Sequence, residues 1–355
     1  MKRKTTLTSI ILISIFLLVG CISSKPNTET SGSLPKAEYT KEDLKDLPLA
    51  VVLLGNKWGY IDQKGNVVID FKFDDAYSFS EGLAEVRVGG RWGFIDKSGE
   101  FVIEPQYQEA LGFSEGLGVV RIKGRCGYID VNENIIIETK FDMADRFYEG
   151  LARVKVGGKE GFIDKTGDYV VPPSYDSAKP FVNGVAGVRI GGKIGYIDKE
   201  GEILIKPQFD VFGDYREGLI RFNYGKKYGF MTIEGKTEIE PAYDEVENFS
   251  EGLALVCRND KYGYIDSKGN LVISIRFDYA TSFSEGLAMV MINGKYGVID
   301  KTGKIVVKPQ FDNASEVGFS EGMAAVIIGG KVGYINTKGE LLIKAVFDRG
   351  DRFKK

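Results

Sequence analysis

Alternating apolar and polar residues along this chain predict short strands that are buried on one face. Residues 83–88 read Leu-Ala-Glu-Val-Arg-Val, which alternates with period two. A Gly-Gly turn leads to a second predicted strand at 92–95, and an Asp-Lys-Ser-Gly hairpin turn leads to a third at 101–103. Pro105 ends the third strand because it lacks a backbone donor. This stretch is therefore predicted to be a three-stranded antiparallel meander.

The same pattern returns along most of the chain. The glycine of the second predicted strand recurs in steps of 34 residues, with a last step of 36, at Gly59, Gly93, Gly127, Gly161, Gly195, Gly229, Gly263, Gly297 and Gly333. This period indicates a repeat architecture. It defines nine units, at 49–82, 83–116, 117–150, 151–184, 185–218, 219–252, 253–286, 287–322 and 323–355. A unit this small cannot bury a core alone, so neighbouring units are expected to stack.

The sequence therefore predicts an all-β fold, a tandem array of nine three-stranded meanders. Two arrangements fit, an open superhelical array and a closed, propeller-like ring. The units are whole at residues 49 and 355, which gives no sign of a blade shared between the chain ends. Nine is also more than the usual number of propeller blades. We therefore expect an open or incompletely closed array.

The first residues have the pattern of an export signal. Basic residues at 2–4 precede an apolar run at 10–19 that is too short to span a bilayer. Residues 18–21, Leu-Val-Gly-Cys, resemble the lipobox of bacterial lipoproteins. This resemblance implies cleavage between Gly20 and Cys21 and a diacylglyceryl group on the Cys21 sulfur, which would anchor the chain stably. An ordinary secretory signal with an incidental cysteine is the alternative.

The composition changes after the predicted anchor. Residues 22–38 are rich in Ser, Thr, Pro, Asn and Lys, which predicts a flexible tether. Thr40 and Asp43 have the spacing of a capping box, so a short helix is expected to cover the exposed end of the first unit. Three segments result, namely a signal peptide at 1–20, a lipidated tether at 21–48 and the repeats at 49–355.

The repeated elements resemble the bacterial WG β-repeat family. Residues 57–62, Lys-Trp-Gly-Tyr-Ile-Asp, and residues 91–96, Arg-Trp-Gly-Phe-Ile-Asp, carry its motif, together with a Lys-x-Gly turn and the sequence Phe-Ser-Glu-Gly-Leu-Ala. The resemblance covers 49–355 and implies a scaffold rather than one activity. Tryptophan occurs only at positions 58 and 92, and the equivalent positions hold Cys126, Glu160, Ile194, Tyr228, Tyr262, Tyr296 and Val332.

Units 3 and 4 depart furthest from the pattern. Glu160 does not fit a sealed apolar position, Asn183 replaces the repeated loop glutamate, and Glu133 replaces a turn glycine. These changes are either drift in tolerant units or a locally altered surface.

The composition removes several kinds of chemistry. The 355 residues include no histidine, which is the usual general base and the commonest metal ligand. The net charge of −3 gives no bulk attraction to nucleic acid. No glycine-rich phosphate loop opens a helix, so no cofactor is expected. Cys126 and Cys257 are predicted to be small buried apolar residues, not a disulfide or a metal site.

Each unit supplies charges at fixed offsets. The residue two before the central glycine is basic in all nine units, as at Lys57, and most units carry an aspartate such as Asp74 and a loop glutamate such as Glu81. We interpret these groups as structural ion pairs or backbone caps. A row of calcium sites is the alternative, although the sequence has no calcium loop, and we expect no metal.

One position of the first predicted strand changes character along the array. It reads Leu53, Arg87, Arg121, Lys155, Arg189, Asn223, Cys257, Met291 and Ile327. Arg87, Arg121, Lys155 and Arg189 form a basic stripe, and they are the candidate binding residues for an anionic partner. Alternatively, they pair with loop carboxylates. The loop phenylalanines, such as Phe79, are predicted to be core residues rather than a sugar-stacking ladder.

These observations favour a non-enzymatic binding scaffold that Cys21 anchors in a bacterial cell membrane, on its outer side. The partner is an unknown protein or envelope polymer, and not nucleic acid. A carbohydrate or cell-wall polymer binding module is the alternative. A glycoside hydrolase with a carboxylate pair is a remote alternative, for which unit 4 is the place to search, because a catalytic pair should break the repeat.

Overall fold

The nine repeats form a ring of nine antiparallel sheets, each with four strands. The computed structural model describes residues 34–355, so the predicted signal peptide, Gly20 and Cys21 lie outside the described residues. The fold is a nine-bladed β-propeller, and blades are numbered here after the units that supply most of their strands. The prediction of an all-β array of nine units is confirmed.

Three strands of each blade come from one unit. The second strands lie at Ala50–Leu54, Leu83–Val88, Leu117–Ile122, Ala152–Val156, Ala186–Ile190, Leu219–Tyr224, Ala254–Arg258, Leu287–Ile292 and Met323–Ile328. The third strands lie at Lys57–Ile61, Arg91–Asp96, Arg125–Ile129, Lys159–Ile163, Lys193–Ile197, Lys227–Met231, Lys261–Ile265, Lys295–Asp300 and Lys331–Asn336. The fourth strands lie at Val67–Phe73, Phe101–Tyr107, Ile135–Phe141, Tyr169–Tyr175, Ile203–Phe209, Thr237–Tyr243, Leu271–Phe277, Ile305–Phe311 and Leu341–Phe347.

The first strand of each blade corrects the predicted count of three. It belongs to the end of the preceding unit, and it has only two residues everywhere except in blade 3. From blade 1 to blade 9 the first strands are Arg349–Gly350, Asp75–Ala76, Glu109–Ser114, Met143–Ala144, Ser177–Ala178, Tyr215–Arg216, Glu245–Val246, Tyr279–Ala280 and Asn313–Ala314. Two residues carry no periodicity, so the alternation of the sequence could not reveal this strand.

The chain ends share blade 1, and the expectation of an open array is therefore wrong. Val52 and Leu53 pair with Gly350 and Arg349, so the last strand of the chain completes the first sheet. The backbone N–H of Leu49 also donates to the carbonyl of Lys354 at 3.0 Å. The same hydrogen bonds that join other consecutive units thus join the last unit to the first.

The central glycine of each unit is required by the close approach of the fourth strand. In blade 2, a Cβ on Gly93 would lie 2.5 Å from the carbonyl oxygen of Ile103 and 2.7 Å from the nitrogen of Pro105. The fourth strand bulges here, because Trp92 pairs with Tyr107 whereas Phe94 pairs with Ile103. Only glycine leaves room for this bulge.

The apolar core lies between blades, as the stacking argument predicts. One buried cluster joins Tyr128, Ile137 and Phe141 of blade 3 to Phe147 and Val154 of blade 4. The ring of Tyr128 packs on Phe147 with centroids 4.9 Å apart. The loop phenylalanines are buried, which confirms that they are core residues; they are Phe79, Phe113, Phe147, Phe181, Phe249, Phe283 and Phe319.

Residues before the first strand pack on the ring. The helix Lys41–Lys45 has the predicted capping box between Thr40 and Asp43. Lys97 of blade 2 donates to the carbonyls of Lys45 and Leu47, each at 3.0 Å, so the helix is held against the ring. Residues 35–37 also contact blade 1, so this part of the predicted tether lies against the ring. Within residues 34–355, no helix has the length and hydropathy to cross a bilayer.

Ring closure makes a testable prediction about the last core residue. Phe353 and Phe147 occupy equivalent positions and are both fully buried. In a closed ring, Phe353→Ala should lower the free energy of unfolding as much as Phe147→Ala, by about 3–5 kcal/mol. Urea unfolding followed by tryptophan fluorescence measures both values. A much smaller loss for Phe353→Ala would indicate a frayed, open end.

Candidate functional site

The repeated carboxylates link consecutive blades. Asp74 accepts a hydrogen bond from Lys57 Nζ of blade 1 at 2.5 Å and another from the backbone N–H of Gly89 of blade 2 at 2.8 Å. The bond from Lys57 is the main cause that holds the Asp74 pKa below its usual value. Glu81 accepts from the backbone N–H groups of Glu115 and Gly116, at 2.6 and 2.9 Å.

These contacts recur around the ring and confirm the interpretation as structural pairs and caps. Further pairs join Arg125 to Asp142, Lys159 to Asp176, Lys193 to Asp210, Lys227 to Asp244, Lys261 to Asp278, Lys295 to Asp312 and Lys331 to Asp348. Among the described residues, no three carboxylates or thiols converge in a geometry that could hold a metal ion.

The basic stripe lies along the second strands of blades 2 to 5, where its side chains already have partners. Arg87 contacts Asp75 at 3.4 Å and lies over the ring of Trp92, 5.6 Å from its centroid. Arg121 Nε donates to Glu109 at 2.7 Å, and its Nη1 donates to the carbonyl of Gly124. Two members of the stripe are thus neutralised within their own blades.

The other two residues of the basic stripe also contact partners within the protein. Lys155 Nζ lies 4.0 Å from Glu160, and Arg189 donates to the carbonyl of Gly192 at 2.8 Å and lies over the ring of Phe212. The structure therefore places the four residues at one register without bringing them together around a ligand. Their role in binding stays a prediction.

Glu160 corrects the expectation that a carboxylate does not fit a sealed position. It is 7% exposed, and its oxygens accept from the backbone N–H of Ala178 at 2.8 Å and from Arg153 at 3.2 Å. Arg153 also pairs with Asp145, 2.6 Å away. A cation and a backbone donor thus replace the solvent that the buried carboxylate loses.

A cleft next to this register lies between blades 7 and 8. This blade 7–8 cleft has a volume of about 390 Å³. Its lining includes Glu245, Glu247, Cys257, Tyr262, Tyr279 and Glu316. The ring of Tyr279 packs against Tyr262, with centroids 5.6 Å apart, and against Tyr296, at 6.0 Å. Three carboxyl groups and a row of tyrosine rings therefore meet around one opening.

The residue at the position of Cys257 differs in charge in a second, smaller cleft. The equivalent cleft between blades 3 and 4 has about 220 Å³, and there Arg121 occupies the place of Cys257 and pairs with Glu109. In blade 7 the thiol is short and uncharged. Glu245, which is equivalent to Glu109, accepts instead from the hydroxyl of Tyr262 at 3.0 Å. The absence of arginine therefore leaves the Glu245 carboxylate without a cation.

The one irregular step of the repeat adds a second carboxylate. Unit 8 has two more residues than each of units 1 to 7, and its longer loop carries Glu316 to the cleft. Among residues 34–355, no basic side chain lies within 4.0 Å of Glu245 or Glu316, whereas Glu247 is 3.3 Å from Arg221. Burial raises the pKa of Tyr279, and Glu316 raises it further, so the ring stays uncharged at neutral pH.

This arrangement can bind a cation. Carboxylates supply the charge, and tyrosine faces attract a cation that has lost part of its water. Sequence patterns do not single out Glu245, Tyr262, Tyr279 and Glu316, because each belongs to a repeated set or to a small insertion. Two signals were present, namely the change from arginine to cysteine at position 257 and the final step of 36 residues.

The repeats match one family model along almost their whole length. The model described as "WG containing repeat" matches nine times, at residues 58–92, 92–126, 127–159, 161–193, 194–228, 228–262, 262–296, 296–331 and 333–355. The chain belongs to the WG repeat family. The match confirms the resemblance of the repeated elements to the WG β-repeat family. No curated protein matches this WG repeat chain.

Solved structures show the fold of this WG repeat protein but no activity. A eukaryotic initiation factor has a TM-score of 0.59 and 10% identity, over 86% of this chain and 98% of that one. The dihydro-heme d1 dehydrogenase NirN in complex with DHE has a TM-score of 0.48 and 11% identity, over 90% and 77% of the two chains. The likeness to the initiation factor, at 10% identity, is a likeness of fold alone.

The cleft thiol of this WG repeat protein should react slowly with alkylating reagents. Burial raises the pKa of Cys257, and the nearby Glu245 carboxylate raises it further. Because the thiolate is the nucleophile, the rate of modification by iodoacetamide should stay low at pH 8 and rise as the pH passes 9. Mass spectrometry of a Cys21→Ser variant follows the reaction.

The unfolded chain in urea and the equally buried Cys126 provide the controls for this measurement. Both thiols should react more slowly in the folded protein, because burial raises the pKa of each thiol and so lowers its thiolate fraction. Equal rates for Cys257 with and without urea at pH 8 would contradict the described burial.

Proposed function

We propose that this WG repeat protein is a non-enzymatic binding scaffold whose blade 7–8 cleft takes a basic side chain of a partner protein. A propeller of this family is a binding or interaction scaffold in its general character. The finer assignment depends on one observation, that Glu245 and Glu316 face the cleft beside tyrosine rings without a cationic partner. A lysine or arginine side chain would supply the missing charge and would stack on Tyr279.

The location of the scaffold in the cell is part of the proposal. The lipobox-like sequence that ends at Cys21 supports a diacylglyceryl anchor in a bacterial cell membrane, with the propeller on the outer side. The partner is then another envelope protein, and the anchor would keep the cleft near the membrane surface.

The basic stripe supports a cell-wall polymer partner less well. Arg87, Arg121 and Lys155 have carboxylates nearby, so an anionic polymer would have to compete with Asp75, Glu109 and Glu160. The glycoside hydrolase alternative is also weaker than the sequence suggested. Glu160 of unit 4 and Asp145 of unit 3 both contact Arg153, so a structural ion pair already engages the two carboxylates.

An arginine side chain that fills the cleft should weaken the binding of a cationic probe. Cys257→Arg restores the arrangement of blade 3, in which the guanidinium pairs with the carboxylate of the first strand. The affinity for fluorescein-labelled pentalysine, measured by anisotropy at low salt, should fall about tenfold or more. Glu316→Gln should lower it about five- to thirtyfold, because one charge-assisted contact contributes about 1–2 kcal/mol.

Glu109→Gln is the matched control, because Glu109 occupies the equivalent position but is neutralised by Arg121. This variant should leave the affinity for pentalysine unchanged. The binding should also weaken as the salt concentration rises, since exposed charges are screened. Equal losses for Glu109→Gln and Glu316→Gln would mean that pentalysine binds the general surface, and the proposed site would be wrong.

The anchor is tested separately from the cleft. Cys21→Ser removes the thiol that would carry the diacylglyceryl group, so the variant should leave the membrane fraction of expressing cells. Fractionation followed by immunoblotting measures this, with Cys126→Ser as the control that stays in the membrane fraction. Retention of the Cys21→Ser variant in membranes would overturn the anchor while leaving the cleft untouched.

A further inference from the structure

The fourth strand forms an edge of every sheet, and its first two residues are exposed in most blades. In blade 3 these residues are Ile135 and Ile136, which are 49% and 45% exposed. The equivalent residue in blade 1, Val67, is only 6% exposed. Val67 is less exposed because another segment of this chain covers the edge of blade 1.

An extended segment at residues 35–39 lies along the edge of blade 1. The backbone N–H of Val67 donates to the carbonyl of Pro35 at 2.7 Å, and the N–H of Ala37 donates to the carbonyl of Val67 at 3.3 Å. Lys36 and Val67 thus form a parallel bridge. This is strand addition to a sheet edge, the way in which many sheets bind extended peptides.

Two side chains of the segment fix its register. Lys36 Nζ lies 2.8 Å from Asp70 on the fourth strand. The hydroxyl of Tyr39 donates to Asp62 in the preceding hairpin turn at 2.5 Å, and Asp62 is only 2% exposed. The edge of blade 1 thus recognises a basic residue and, three residues later, a tyrosine.

Blade 3 repeats this edge but carries no segment of the described chain. Asp130 N–H donates to the carbonyl of Asn134 at 3.0 Å, as Asp62 N–H donates to Asn66. This turn bond directs the N–H and C=O of Ile135 outward, as it does for Val67. The matching residues of blades 1 and 3 are Asp62 and Asp130, Asn66 and Asn134, Val67 and Ile135, Val68 and Ile136, and Asp70 and Glu138.

The other edges lack one or more of these features. The acidic position is Lys206 in blade 5, Lys308 in blade 8 and Lys344 in blade 9, so the charge there is reversed. Blade 4 has Pro172 at this position, and blade 7 has Ser274. In blade 6 a polar pair, Thr237 and Glu238, replaces the apolar residues, whereas in blade 2 Glu100 of the turn already pairs with Lys41.

We propose that the fourth strand of blade 3 is a docking edge for an extended segment of a partner protein. The segment adds a parallel strand beside Ile135, places a basic residue against Glu138 and places a tyrosine, three residues later, against Asp130. This site is separate from the blade 7–8 cleft and does not depend on the function proposed for it.

The chain provides its own probe for this edge. A labelled peptide with the sequence of residues 34–40, Leu-Pro-Lys-Ala-Glu-Tyr-Thr, carries the backbone and side-chain groups that bind blade 1. We expect it to bind the full chain, as measured by fluorescence anisotropy. With a diazirine side chain at the position of Ala37, it should crosslink to residues 135–138, which mass spectrometry locates.

Substitutions at the edge of blade 3 separate the contributions of the backbone N–H of Ile135 and of the Glu138 charge to peptide affinity. Ile135→Pro removes an outward N–H and no hydrogen bond within the sheet, so the protein should fold while its affinity for the peptide falls about threefold or more. Glu138→Lys should weaken binding about three- to tenfold by turning an attraction into a repulsion. Ile203→Pro, the same change at the edge of blade 5, is the matched control and should have no effect.

Three results would overturn the proposal. One is the absence of peptide binding to the full chain. Another is crosslinking only near Val67, which would mean that the peptide displaces the chain's own segment and does not use blade 3. The third is an affinity that Glu138→Lys and Ile135→Pro leave unchanged.

Discussion

No blade of this propeller can bury its own apolar residues, and this constraint governs the rest of the structure. Each buried cluster needs side chains from two consecutive blades, as where Phe141 of one blade meets Phe147 of the next. Repeated carboxylates such as Asp74 reinforce most junctions, and several of them form hydrogen bonds to both neighbours. An array of this kind leaves one uncovered sheet face at each end unless it closes. Closure through Arg349–Gly350 removes both faces at once.

A strict repeat also makes each departure informative. At the register of the basic stripe, the arginine in blade 3 neutralises the glutamate of its own first strand. The cysteine in blade 7 leaves the equivalent glutamate uncompensated, beside a larger cleft. One substitution thus removes a counter-ion together with the bulk of its side chain. The edge of blade 1 provides a similar comparison, since only a covering segment distinguishes Val67 from Ile135.

The sequence predicts the features that depend on neighbouring residues. Period-two alternation places the long strands, and the recurring Gly93-type residue marks a site where a Cβ would meet the fourth strand. Features that depend on distant residues were predicted wrongly or missed. The strand Asp75–Ala76 is too short for a pattern, and Glu160 is acceptable only because Arg153 and the N–H of Ala178 reach it. The blade 7–8 cleft joins residues from three units, and no local pattern contains it.

The sharing of strands has a consequence for how such a gene can change in length. Each unit gives three strands to one blade and the first strand to the next, so a cut at any unit boundary leaves matching ends. Duplication or deletion of one whole unit therefore preserves every type of junction and alters only the circumference of the ring. Insertion of part of a unit would leave an unpaired first strand. Recombination between copies is thus constrained to whole multiples of the period, while small insertions such as the one that carries Glu316 survive in the loops.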